Sequence, residues 1–475
     1  MSREWGFAEA LVAAMVLTCC AAQDLMRQKG KMNVLFIIAD DLRTSLGCYG
    51  DPIVKSPNID QLASKSVVFK NAFAQQALCG PSRTSFLTSR RPDTTRLYDH
   101  NSYWRVHAGN YTTLPEYLKM HGYLTMSVGK IFHPGIVSNH TDDYPYSWSI
   151  PPFHPSTQKY KNAKEFLKLY PRDKIPLAPD HKIPLKLPPV AYNPWTDLRI
   201  RDDVKALNLS FPYGPIPDDF QVLIRQSYFA AVSYMDTQVG RLLNALDEQG
   251  LANNTVVVFT ADHGWSLGEH GEWAKYSNFD VVTRVPLMIY APGMTEAFPP
   301  PGQRMFPFIN PFTNKVGGLP AGSMRDANVE LVSLFPTLCQ VLGLPRPPKC
   351  PASSFHVDLC TEGQSMAHYL HPDATIWNSE LIAYSQYPRP ADTPQMNSDL
   401  PSLKDIRIMG YSIRSVGYRY TEWVAYNAST FSANLSDIHA GELYFQKTDP
   451  GEDNNLYNSI EFAGVVQKLS ALLKT

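Results

Sequence analysis

The 475-residue sequence has little that would tie it to a membrane or to nucleic acid. After residue 30 it has no apolar run approaching the ~20 residues a spanning helix needs. Its 43 Lys and Arg are matched by 44 Asp and Glu, so no charge excess selects nucleic acid or an anionic lipid surface as partner. Internal repeats and low-complexity tracts are absent, which excludes repeat architectures. Cysteine is scarce at seven residues, so each one can be accounted for. What remains is an ordinary globular composition, 44% apolar and 18% charged, in a chain long enough for a large domain with a smaller partner. Proline is plentiful at 39 residues, which implies long, stiffened surface loops.

The amino terminus reads as a leader. Leu11 to Ala22 is apolar and ends in Cys19-Cys20-Ala21-Ala22, small residues suited to cleavage, so residues 1–22 are expected to be a signal peptide. A membrane anchor is the alternative, but the run falls short of a span. Six Asn-X-Ser/Thr sequons, at Asn110, Asn139, Asn208, Asn253, Asn427 and Asn434, agree with a glycosylated secretory product. Cys19 and Cys20 leave with the leader. Cys350 and Cys360 bracket a short loop and are expected to form a disulfide. Cys48 and Cys339 sit in apolar surroundings as small hydrophobes. Cys79 is left over.

Three apolar runs carry the architecture. Asn33 to Ala39 has no polar alternation, as expected for a strand covered on both faces, and ends in Asp40-Asp41. Thr255 to Thr260 is similar and runs into Asp262-His263-Gly264. Tyr123 to Val128 is weaker and leads to Lys130 and His133. Helical patterns cover Gln221 to Gln249 and Asn328 to Leu342. From about Leu381 the texture changes to short Tyr-, Ile- and Val-rich runs. The expected fold is α/β: a large, mostly parallel sheet flanked by helices over 31–372, and a smaller antiparallel-sheet subdomain over 381–475. In such sheets ligands bind at the carboxyl ends of strands, where the charged residues collect here.

Around Cys79 the sequence reads Cys79-Gly80-Pro81-Ser82-Arg83, followed by Leu87-Thr88. Pro81 suits the first turn of a helix, which would put residue 79 at a helix N-terminus, where free amides and the dipole favour an anion. Arg83, one turn in, can present a guanidinium fork to the same anion. The bland alternative is an unmodified buried thiol.

This pentapeptide resembles the sulfatase signature. The similarity extends through Asp40-Asp41, Ser56-Pro57-Asn58-Ile59-Asp60, Asp262-His263-Gly264 and Gly441-Glu442-Leu443-Tyr444. The resemblance implies that Cys79 is oxidised to formylglycine by the formylglycine-generating enzyme, and that calcium is held by Asp40, Asp41, Asp262, His263 and residue 79. A hard cation among carboxylates is chemically sensible, although a histidine is a softer ligand than the Asn many sulfatases have there. The alternative for Asp40 and Asp262 is helix capping. By the same resemblance Lys130 and Lys275 meet sulfate oxygens, and His133 is a general acid or base. Arg43, just after the acidic pair, is a candidate contact for a substrate carboxylate. The implied substrates are sulfated glycosaminoglycan fragments, at the 2-O-sulfate of iduronate in dermatan and heparan sulfate. The implied destination is the lysosome through the secretory route, or secretion, with no nucleic-acid or membrane partner.

Two departures from the family pattern stand out. Ser89 occupies a position usually held by Gly. A core strand ending in a Lys/His-Pro-His element is missing between Lys130 and the long helix: His154 follows no strand, and His181 sits in a loop-like stretch. The chain jumps at about Tyr160-Lys161, so weak activity is expected. Two other readings stay open: a non-catalytic glycosaminoglycan-binding variant, and a phosphatase or phosphodiesterase on the related alkaline-phosphatase scaffold. The latter usually present Ser or Thr where this chain has Cys79.

Overall fold

A computed structural model of the chain describes residues 30–155, 163–300, 302–314, 321–371, 374 and 382–474. The leader with Cys19 and Cys20, the Tyr160-Lys161 junction and most of the stretch 371–380 lie outside the described residues.

The strands in chain order are β1 (Asn33–Ala39), β2 (Val67–Phe73), β3 (Thr255–Ala261), the hairpin β4 (Ser266–Leu267) and β5 (Trp273–Ala274), β6 (Arg284–Tyr290) and β7 (Ser323–Glu330). The central sheet has the order β1-β3-β6-β2-β7. β1 pairs with β3 and β2 with β7 in parallel, while β6 runs against both its neighbours. Four of its five strands therefore share one direction, as the alternation of apolar runs and helices predicts. The longer helices are α1 (Pro57–Ser64), α2 (Cys79–Thr88), α3 (Asp218–Glu248) and α4 (Leu334–Val341). No described helix is long and apolar enough to cross a membrane.

The two strongest apolar runs have different fates. β3 is flanked by β1 and β6, and every residue in it is buried. β1 is paired on one side only, and Val34 to Ile38 are half-buried, so it is not covered as its sequence predicts. The third run departs further. Tyr123 to Val128 forms no strand; Leu124, Met126 and Val128 are 68, 59 and 66% exposed, while Thr125 and Ser127 turn inward. Its backbone bonds instead to the loop at Ser149 and Phe153. Alternating side chains make a strand only where a neighbouring edge completes the ladder, and among the described residues none does.

A smaller correction concerns Asn328 to Leu342. Asn328, Val329 and Glu330 pair with Asn71, Ala72 and Phe73 as the end of β7, so the helix begins only at Leu334. Sheet pairing overrides helical spacing there.

The carboxyl-terminal part forms an antiparallel sheet of β8 (Ala383–Arg389), β9 (Ile408–Arg414), β10 (Tyr418–Asn427) and β11 (Ser432–Phe445). Leu469, on α5 (Ala463–Leu473), packs against its Tyr420 and Leu443. Arg389 ties this sheet to the first body. Fully buried, it donates to the carbonyls of Val190, Ala191, Ser398 and Tyr276. Tyr276 follows Lys275, so the small sheet helps to fix the loop that carries that lysine. Cys350 and Cys360 are bonded, with Cα atoms 4.9 Å apart, and Cys48 and Cys339 are buried and free.

Candidate active site

Asp40 and Asp41 follow β1, and Asp262 and His263 follow β3. Parallel pairing of these strands in register, Ala39 opposite Ala261, brings both acidic ends to the same edge of the sheet. Gly264 is required at the turn after β3, since a Cβ there would lie 2.3 Å from the Val281 carbonyl oxygen. Asp41 adopts a left-handed conformation (φ 56°), costly for a residue with a side chain, and its N–H donates to Asp262 Oδ1 at 3.1 Å.

Cys79 is the first residue of α2, as its neighbours predict, and is 2% exposed. Its Sγ lies 3.0 Å from Lys275 Nζ, 3.3 Å from His263 Nε2, 3.7 Å from Asp40 Oδ1 and 3.8 Å from Asp41 Oδ1. Burial, with Asp262 next, pushes the thiol pKa up to about 12 against the pull of Lys275. An unmodified Cys79 would stay protonated here and be a poor nucleophile.

The donor atoms form overlapping triads, Asp41–Cys79–His263 and Asp40–Cys79–Asp262, with atoms within 4.8 Å of one another. His263 Nδ1 donates to the Gly264 carbonyl at 2.9 Å, which leaves Nε2 as an acceptor facing Asp41 and Cys79. Three carboxylates and one imidazole nitrogen directed at one point suit a divalent cation, and the oxygen-rich set favours a hard one.

The structure gives Arg83 a different task from the expected anion fork. It is fully buried: Nε donates to Asp262 Oδ2 at 2.9 Å, Nη2 to Asp40 Oδ1 at 3.0 Å, and Nη1 to the carbonyls of Lys130 and Ile131. It locks two carboxylates and the loop carrying Lys130. Burial alone would raise the Asp262 pKa, but Arg83 first, then His263 and Lys275, hold it well below the usual carboxylate range. Lys275 Nζ donates to Asp41 Oδ1 at 2.8 Å, and Lys130 Nζ to both oxygens of Asp40 at 2.7 and 2.8 Å.

His133 is half-buried and lies close to Cys79. Its Nδ1 has no partner among the described residues, and burial, then Lys130 and Lys275, lower its pKa to about 4. His100 stacks on it with centroids 3.8 Å apart, and His100 Nε2 accepts from the Gly80 N–H at 3.3 Å. Cys79, His100 and His133 form a third cluster of donors. Sequence reasoning missed His100: nothing in Leu97-Tyr98-Asp99-His100 marks it, and only the fold brings it to the nucleophile. Arg43 is engaged elsewhere, with Nη1 2.8 Å from Glu269 Oε1. His154 and His181 lie in exposed loops, as expected. All six sequon asparagines are exposed. Ser89 is left-handed (φ 54°), which explains the usual Gly, and its hydroxyl bonds to the Val332 carbonyl at 2.7 Å.

The sulfatase family profile matches residues 32–167 and 136–344, two pieces that overlap at 136–167. The chain is 56% identical over 512 positions to Iduronate 2-sulfatase of Mus musculus and, equally, to that of Homo sapiens, covering 92% of this chain and 93% of each relative. As 92% of this chain is about 437 residues, about 75 of those positions have no counterpart in it. A solved 2-O GAG sulfatase superposes with a TM-score of 0.63 at 19% identity, over 94% of this chain and 91% of that one.

Proposed function

The chain belongs to the sulfatase family, the sulfuric ester hydrolases, and from that premise we propose that it removes the 2-O-sulfate of iduronate from dermatan and heparan sulfate fragments in the lysosome. The observation that carries the reading is the convergence of Asp40, Asp41, Asp262, His263 and Lys275 on Cys79. Conversion of Cys79 to formylglycine by the generating enzyme and binding of calcium by those carboxylates and His263 are part of the proposal. Once hydrated, the aldehyde would supply an attacking hydroxyl and a route for releasing sulfate, and a divalent cation held by Asp40, Asp41, Asp262 and His263 would favour that hydroxyl's loss of its proton.

The chain's own residues do the rest. Lys275, buried beside Sγ, offsets charge on the sulfate oxygens in a site where water does not screen it. Lys130, half-exposed and tethered to Asp40, meets the anion from the open side. His133 is the candidate general acid: the negative charge of a bound sulfate would raise the proton affinity that burial and the two lysines depress, so that a proton is taken up with the substrate and passed to the leaving sugar oxygen. Arg83 orients Asp40 and Asp262 and keeps Asp262 ionised, and His100 orients His133 by stacking.

One observation favours a second reading, in which the constellation is retained but turnover is slow. About 75 positions of the relatives are unmatched, and the family match falls into two pieces that overlap at 136–167, between Lys130 and α3. Loss of one preorganised donor commonly costs ~10²–10³ in rate. A turnover assay on a disaccharide ending in 2-O-sulfated iduronate, beside a binding measurement on the same ligand, separates the two. Release of sulfate at a rate comparable with the mouse relative supports the first; binding without release supports the second; neither binding nor release sinks both.

A further inference from the structure

Donors of two unlike chemistries meet at Cys79 Sγ. Carboxylates form one set: Asp40 Oδ1 and Asp41 Oδ1 lie 3.7 and 3.8 Å from the sulfur, and Asp262 joins Asp40 and Cys79 in a triad. Imidazoles form the other. His263 Nε2 is 3.3 Å from the sulfur, and one nitrogen each of His100 and His133 lies within 4.8 Å of it and of each other. The His100 and His133 rings stack with centroids 3.8 Å apart. His133 Nδ1 has no partner among the described residues, and His100 Nε2 accepts only a long bond from the Gly80 N–H, at 3.3 Å. The reaction proposed above uses one of these two rings as an acid and the other as its support. It gives no reason for both to gather nitrogen at a sulfur.

We propose that the residue at 79 selects the metal, and that as cysteine it binds zinc together with His100 and His133, with His263 as the fourth donor. Thiolate and imidazole suit zinc, whereas an oxygen at position 79 belongs with the carboxylates and a hard cation. A tetrahedral zinc with sulfur at about 2.3 Å and nitrogen at about 2.1 Å needs its donors about 3.5 Å apart. The present spacing must therefore close by roughly an ångström. Turning the His133 ring can supply this and breaks no bond at Nδ1. Binding exchanges the thiol proton for a zinc–sulfur bond and releases that proton to solvent. The zinc-loaded form is catalytically silent, because sulfur occupies the place of the attacking oxygen and His133 is engaged. The hard-cation half of this selection rests on the sulfatase reading; the zinc half concerns the thiol form alone.

The test uses the full chain from cells lacking the formylglycine-generating enzyme, so that position 79 stays cysteine, with zinc and cobalt ions as probes. One equivalent of zinc is expected to bind, about a hundredfold or more tighter than calcium, and cobalt in its place should show sulfur-to-metal charge transfer. Cys79→Ser should abolish that absorption and weaken zinc about a hundredfold. His100→Phe should weaken zinc about tenfold or more with an unaltered circular dichroism spectrum, and His100→Gln is the second variant should Phe disturb folding. The proposal is overturned if cobalt shows no sulfur charge transfer, if zinc affinity is unchanged in both His100 variants, or if an equal concentration of calcium displaces zinc. Equally tight zinc binding by chain converted at 79 also overturns the selection, and does so without touching the sulfatase reading. Failure of conversion in ordinary cells would sink that reading and leave the zinc site standing.

Discussion

Replacing Arg83 by Ala is expected to destabilise the fold more than other single changes at the site. Its fully buried guanidinium touches Asp262 at 2.9 Å, Asp40 at 3.0 Å and the carbonyls of Lys130 and Ile131. Removing one partner of a buried ion pair costs roughly 3–5 kcal/mol, because the remaining charge is left uncompensated. The two carbonyls would each lose about 1 kcal/mol where water cannot replace the donor. These contributions overlap, and Lys275 still faces the carboxylates, so about 4 kcal/mol is the net expectation. Unfolding entropy of ~2.1 cal/mol/K per residue over roughly 450 residues converts this into a fall in Tm of about 4 °C. Scanning calorimetry in a Cys79→Ser background keeps position 79 the same in both proteins, since Arg83 belongs to the motif around the modified residue. Arg83→Lys should fall between the two. A change below about 1 °C for Arg83→Ala would refute the assignment of Arg83 as the cation that holds the carboxylates.

Calcium at about a hundred times its Kd should stabilise the chain by ~2.7 kcal/mol, chelation should reverse this, and Asp262→Asn should lose the response; an unchanged response in the variant contradicts the metal assignment. His133 is held at about 4, so between pH 6.5 and 4 the unfolded chain takes up a proton that the folded site refuses, and stability falls as pH falls through that window. Buried Glu272 and Asp399, raised to about 8 and about 7, act in the opposite direction. The comparison is therefore His133→Gln against the parent, and the variant's Tm should drop less from pH 7 to 5; an equal drop contradicts it. Arg43→Ala should cost about 3 kcal/mol by leaving Glu269 with Arg225 alone, yet leave selectivity for uronate over neutral sulfated sugars unchanged. Lost selectivity without lost stability would instead place Arg43 on the substrate.

Much of the site was legible in the sequence because strand ends and a helix start are local events. Asn33 to Ala39 and Thr255 to Thr260 are apolar without alternation, and they deliver Asp40-Asp41 and Asp262-His263 where the runs stop. Pro81 after Cys79 marks a helix start with no help from the rest of the fold. Roles set by partners were not legible. Arg83 faces carboxylates because Asp40 and Asp262 converge behind it, and Arg43 faces Glu269, which is remote in sequence. His100 carries no motif and arrives through the fold alone. Tyr123 to Val128 has the side-chain alternation of a strand but lacks an edge to complete it, something a local pattern cannot disclose.

The most direct test of the account is mass spectrometry of the tryptic peptide Asn71–Arg83 from the secreted or lysosomal product. The account predicts that residue 79 has lost its thiol for an aldehyde, which captures hydrazide reagents and does not alkylate. A peptide that carries only an alkylatable cysteine at 79 would contradict the proposed chemistry at its centre.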